Sequence, residues 1–104
     1  MALQSVGIVG AGAWGTALAV TSHRDGRDVL IWAHEPETLA DINHNHRNEV
    51  YLPGISLDRS IEATGRLNEV ANCDLLLVAT PAQHVREIAG ELAPYLKEEQ
   101  PLVI

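Results

Sequence analysis

The sequence predicts an α/β domain, a parallel sheet with helices on both faces. Short apolar runs rich in β-branched residues alternate with segments whose apolar residues recur at helical spacing. The runs are apolar throughout, as strands covered on both faces are. At 104 residues the chain has the length of one domain, and 46% hydrophobic against 20% charged residues is a globular composition.

Residues 6–9, Val-Gly-Ile-Val, read as the first strand, ending at Gly10. From Gly12 the period changes. Trp14, Ala17, Leu18 and Thr21 fall at i, i+3, i+4 and i+7, which predicts a helix with these residues as its inner stripe. Gly26 suits the position just past that helix. Residues 29–32 form the second strand. Pro36 suits a first helical turn, and the helix runs to about His46 with Leu39, Ile42 and Asn43 on one face. Pro53-Gly54 marks a turn within a connection from Asn48 to Asp58. Residues 61–64 make a short third strand, and Leu67, Val70 and Ala71 a brief helix. Residues 75–79 are the clearest buried strand. Pro81 starts a helix carrying Val85, Ile88, Ala89 and Leu92 inward, Pro94 ends or kinks it, and Tyr95-Leu96 add a last turn. Residues 101–104 begin a further strand. Strand and helix alternate, so the crossovers are right-handed.

Charge and cysteine usage exclude several functions. Seven Lys and Arg against 14 Asp and Glu give a net charge of −7, and Lys97 is the sole lysine. A nucleic-acid binder needs clustered cations, so no nucleic-acid partner is expected. The single Cys73 forms no internal disulfide and reads as a buried thiol in a reducing, cytoplasmic setting. Residues 1–20 carry no Lys or Arg and four glycines, which fits neither a signal peptide nor a membrane span. His44 and His46 are two apart and face away from each other on a helix, so no metal is expected. Asn43, Asn45 and Asn48 read as helix-end and turn residues, and Glu87, Glu91, Glu98 and Glu99 as a solvated face. No nucleophile–base set is evident, and no catalytic residue is assigned to the chain.

The strongest chemical signal is Gly10-Ala11-Gly12-Ala13-Trp14-Gly15, between a strand and a helix. Gly10 permits the tight turn, Gly12 lets a diphosphate approach the backbone, and Gly15 lets helix and strand pack closely. The helix N-terminus adds free N–H groups and its positive dipole end. A dinucleotide is the expected ligand; a turn without a ligand is the plain alternative. Glu35 has the spacing of a ribose-binding acid, but Ala33 and His34 lie nearer the strand end, so no carboxylate is expected in that place. His34 either stacks on adenine, touches a 2′-phosphate or lies solvated. NAD and NADP both remain open. Trp14 reads as core or as a cofactor or domain contact, Trp32 as core, Tyr51 as packed under its Pro-Gly turn, and His84 as an even choice between solvent and cofactor.

Several segments together resemble NAD(P)-dependent glycerol-3-phosphate dehydrogenase: residues 10–19, Ile31-Trp32-Ala33-His34-Glu35, Asn48-Glu-Val-Tyr51-Leu-Pro-Gly54, and Leu77-Val-Ala-Thr-Pro81-Ala-Gln83-His84. The resemblance spans residues 6–104. It implies a Rossmann-type, doubly wound domain over residues 1–104, cut before a helical C-terminal domain. It implies reversible hydride transfer between NAD(P)H and dihydroxyacetone phosphate, giving sn-glycerol 3-phosphate for glycerophospholipid synthesis. It further implies cofactor contacts at Ala13, Trp14 and His34, with Pro81 to His84 at the nicotinamide side. The family's lysines lie beyond Ile104, so a cofactor-binding but inactive chain is expected.

Two other functions compete with this one. A different two-domain dehydrogenase, of hydroxyacid or 6-phosphogluconate type, is opposed by the Tyr51-Leu-Pro-Gly54 segment. A non-catalytic NAD(H)-sensing module is opposed by the apolar strand at residues 102–104. That strand presents an uncovered edge and predicts a homodimer.

Overall fold

The computed structural model describes residues 4–104. Strand β1 (Ser5–Val9) leads through the glycine turn into helix α1 (Ala13–Arg24). Strand β2 (Asp28–Trp32) follows, then helix α2 (Pro36–Ala40), prolonged by a π turn at Asp41–Asn45. A small hairpin of β3 (Arg47–Asn48) and β4 (Leu52–Ser56) precedes strand β5 (Glu62–Thr64) and helix α3 (Leu67–Val70). Strand β6 (Leu75–Val78), a 3-10 turn at Ala82–His84, helix α4 (Val85–Leu92), another 3-10 turn at Ala93–Tyr95 and strand β7 (Leu102–Val103) complete the chain.

Five strands form one sheet in the order β5-β2-β1-β6-β7, each pair parallel. The chain starts in the middle, winds to one edge, returns and winds to the other, which is the doubly wound Rossmann arrangement. One face buries Val6, Ile8, Val29 and Ile31 with Ala19 of α1 and Ile42 of the π turn. The other buries Val9, Trp32 and Leu76 with Val70 of α3 and Ile88 and Leu92 of α4. Both faces are covered, which is why β1, β2 and β6 carry continuous apolar runs.

At the end of the sheet opposite the glycine turn, β1 and β6 are tied by a reciprocal pair. Asp74 Oδ2 accepts from the backbone N–H of Gln4 (2.9 Å) and Ser5 (3.1 Å), while Ser5 Oγ accepts from the Asp74 N–H at 2.9 Å. These donors hold the Asp74 carboxyl below the usual carboxylate range.

Several expectations need correction. The buried face of α1 is Gly15, Thr16 and Ala19, rather than the stripe through Trp14 and Thr21. Trp14 stands 68% exposed. Small residues face the sheet because the helix start lies against the β1 turn, and a bulky side chain would not fit between them. Arg47–Asn48 pairs with Leu52–Ser56, so the chain turns at residues 49–51 and Pro53-Gly54 lies inside β4 rather than at a turn. Pro81 precedes a 3-10 turn, and the α-helix begins only at Val85, with Ala89 outward.

Candidate functional site

The strands β1 and β6 are neighbours whose following segments leave toward opposite faces of the sheet, α1 to one and α4 to the other. Divergence of this kind opens a crevice at the C-terminal ends of the strands. A cleft of about 900 Å³ lies there, in the size range of small-molecule sites. Its lining joins three chain segments: Gly10 to Trp14, Trp32 to Glu35 with Thr38 and Tyr51, and Val78 to Ala82 with His84.

Gly10 turns the chain at φ +125°, a conformation closed to ordinary side chains, and a Cβ on it would lie 2.9 Å from the Ala79 carbonyl oxygen. Gly15 has a separate duty. A Cβ there would fall 2.0 Å from the Gly10 carbonyl oxygen, so its bare backbone lets α1 start directly over the turn. Gly15 is not among the lining residues. Gly12 does line the cleft, and a Cβ on it would meet nothing within 4 Å. Its backbone therefore borders open space.

Gly12 is also the N-cap of α1, and no side chain caps it. The first amides of a helix have no partner within the helix, so they present donors and a positive dipole end. Among the described residues no Lys or Arg lines the cleft, whereas Glu35, Glu87 and Glu91 do. With no Lys or Arg there, the backbone N–H groups at the start of α1 are donors suited to an anion. These features fit the diphosphate of a dinucleotide. Thr80, a residue of the same lining, has a hydroxyl oxygen that is buried without a hydrogen-bond partner.

The glycine turn is braced from below by a residue that local sequence reading treated as a turn residue. Asn48 is 1% exposed, and its side-chain amide donates to the Ala11 carbonyl and to Thr16 Oγ1, both at 2.8 Å. It thereby fixes β3 against the start of α1. Its own Oδ1 accepts the Tyr51 N–H at 3.4 Å.

Tyr51 does not simply sit under Pro53-Gly54. It lines the cleft, and its hydroxyl donates to Glu35 Oε1. The hydrogen bond to that carboxylate holds the Tyr51 phenol above its usual range. A carboxylate therefore does border the cleft beyond β2, contrary to expectation, because Glu35 turns back as the N-cap of α2. Trp32 is core, with Nε1 donating to the Gly65 carbonyl at 3.2 Å. His34 is exposed at the cleft, its ring 5.8 Å from that of Trp32 and tilted 47°. Pro81 and His84 line the opposite wall.

Of the residues expected at a cofactor, Gly10, Gly12, Ala13, Trp14, His34, Pro81 and His84 thus share one cleft. Tyr51 joins it only through the hairpin, whose turn at residues 49–51 carries no glycine or proline to announce it, and Asn48 lies behind the cleft wall. Cys73 is buried away from the cleft, and burial pushes its thiol up. Among the described residues no group of three or more His, Cys, Asp or Glu is arranged to hold a metal, and no helix is long and apolar enough to cross a membrane.

Residues 5–104 match a family model described as the N-terminus of NAD-dependent glycerol-3-phosphate dehydrogenase. A protein of Parvibaculum lavamentivorans named glycerol-3-phosphate dehydrogenase [NAD(P)+] is 48% identical over 104 residues, which is 100% of this chain and 31% of that protein. A crystal structure of glycerol-3-phosphate dehydrogenase from Coxiella burnetii superposes with a TM-score of 0.88 at 25% identity, covering 95% of this chain and 31% of that one. One from Plasmodium falciparum superposes at 0.82 and 26% identity, covering 94% and 30%. The chain spans about a third of the length of these relatives.

Proposed function

The chain belongs to the family of NAD-dependent glycerol-3-phosphate dehydrogenase N-termini, and from that premise we propose that residues 1–104 bind NAD or NADP as the cofactor domain of such an enzyme. The observation that carries this is the uncapped start of α1, with Gly12 open to a cleft at the divergence of β1 and β6. The amides after Gly12 hold the diphosphate, and Gly10, Ala13 and Trp14 border it. Gly15 contributes indirectly, by letting α1 close over the turn. His34 lies toward the adenosine, and Pro81 and His84 toward the nicotinamide.

Bound there, NAD(P)H supplies a hydride to a ketone, and the oxidised form takes one back. The substrates proposed are dihydroxyacetone phosphate and sn-glycerol 3-phosphate, the reaction feeding glycerophospholipid synthesis in the cytoplasm. Ketone reduction needs an acid at the carbonyl and cations for the substrate phosphate. The described cleft walls carry no Lys or Arg for the substrate phosphate, and the chain alone is expected to give no turnover. Homodimerisation belongs to the same proposal. It is supported by Leu102 and Val103, which stand 40% and 55% exposed on the edge strand β7.

Separate titrations with NADH and NADPH, followed by tryptophan emission, test the binding. Trp14 and Trp32 both border the cleft, so saturable changes are expected. Gly12→Val should abolish them while leaving the fold intact, since its side chain meets only open space. Equal binding by the variant would overturn the placement of the diphosphate.

A further inference from the structure

Tyr51 and Glu35 form a pair at the cleft that the glycine motif does not explain. They are 16 residues apart and belong to different elements. Tyr51 is placed by the hairpin, whose β3 is fastened through the buried Asn48 amide to Ala11 and Thr16 under the glycine turn. The link from the diphosphate cradle to the acid beyond β2 therefore runs through hydrogen bonds: Ala11 and Thr16 to Asn48, Asn48 to Tyr51, and Tyr51 to Glu35. One Glu35 oxygen is occupied by the phenol. A carboxylate accepts at two oxygens, so the other remains available.

We propose that Tyr51 is a positioning residue that aims Glu35 at the adenosine ribose and so makes the chain prefer NAD(H) over NADP(H). This rests on the cofactor-binding function proposed above. A free ribose diol offers an O–H donor that the remaining Glu35 oxygen accepts. A 2′-phosphate has no such donor and brings about −1.5 to −2 charges against the Glu35 carboxylate. No Lys or Arg among the described residues lines the cleft to offset that repulsion, and Glu87 and Glu91 add the same sign. The hydroxyl is the part of Tyr51 that hydrogen-bonds Glu35.

Affinities for NADH, NADPH, ADP-ribose and 2′-phospho-ADP-ribose, measured by calorimetry on the wild type, Tyr51→Phe and Glu35→Gln, test the proposal. The wild type is expected to favour the ligands without the 2′-phosphate. Tyr51→Phe keeps the ring and should weaken NADH and ADP-ribose by about three- to tenfold, leaving the phosphorylated pair nearly unchanged. Glu35→Gln should strengthen binding of the phosphorylated pair. A merely structural role for Tyr51 would weaken all four ligands equally. That result, or an unchanged preference in both variants, overturns the proposal while leaving dinucleotide binding intact. Failure of the wild type to bind any of the four overturns the cofactor function itself.

Discussion

Two glycines of one motif do different physical work, and single substitutions separate them. Gly12 borders open space, so a side chain there obstructs a ligand and little else. Gly15 faces the Gly10 carbonyl oxygen, where a Cβ would fall at 2.0 Å against backbone. Gly15→Ala is therefore expected to destabilise the fold by about 1–3 kcal/mol, read as a lower midpoint in urea. An unchanged midpoint would contradict the close approach of α1 to the turn. Thr80 behaves in the opposite sense. Its hydroxyl is buried without a partner, so Thr80→Val, nearly equal in shape, should leave stability unchanged or raise it. A melting curve on that variant checks this.

At the scale of elements, the sheet was legible and its additions were not. β1, β2 and β6 announce themselves because burial on both faces demands uninterrupted apolar runs. The α1 stripe misled because periodicity reports where large residues recur. The close approach of helix to sheet instead selects Gly15, Thr16 and Ala19 for the buried face. The β3–β4 hairpin was hidden for another reason. β3 is two residues long, and its decisive contacts cross 37 and 32 positions to Ala11 and Thr16. A polar Asn48 looks like a turn residue until tertiary structure supplies its partners. The position of Glu35 was missed likewise, since distance along the chain does not record how α2 turns its N-cap toward the cleft.

The junction of β1 and β6 carries a pH prediction. The Asp74 carboxyl is held down by the Ser5 and Gln4 amides, Asp41 by the Asn45 amide and Glu49 N–H, and Asp58 by the Ser60 hydroxyl and N–H. Each binds a proton more weakly folded than unfolded. Their stabilisation is complete above the ordinary carboxylate range and is lost as the pH falls through the lower folded values. Melting temperature should accordingly drop below about pH 4. Asp74→Asn should lower it at neutral pH and flatten that acid limb. An acid limb of unchanged steepness in Asp74→Asn would remove the Asp74 ties from the explanation.

For the whole molecule, charge and topology divide the labour. A chain of net charge −7 with no Lys or Arg on the described cleft walls cannot attract a dinucleotide by cations. On the proposed reading, binding depends on backbone amides presented by α1 at the place where the winding of the sheet reverses. The glycine motif and the segments around Trp32, Tyr51 and Pro81 made the family legible from sequence, because they crowd around that one place. The hairpin that ties them together was legible only in three dimensions. The most direct test is amide chemical shift on titration with NADH, using uniformly 15N-labelled protein. Saturable shifts concentrated at residues 12–15 and absent in Gly12→Val are expected. Saturation with those amides unmoved, and shifts clustered elsewhere, would contradict a diphosphate seated on the start of α1.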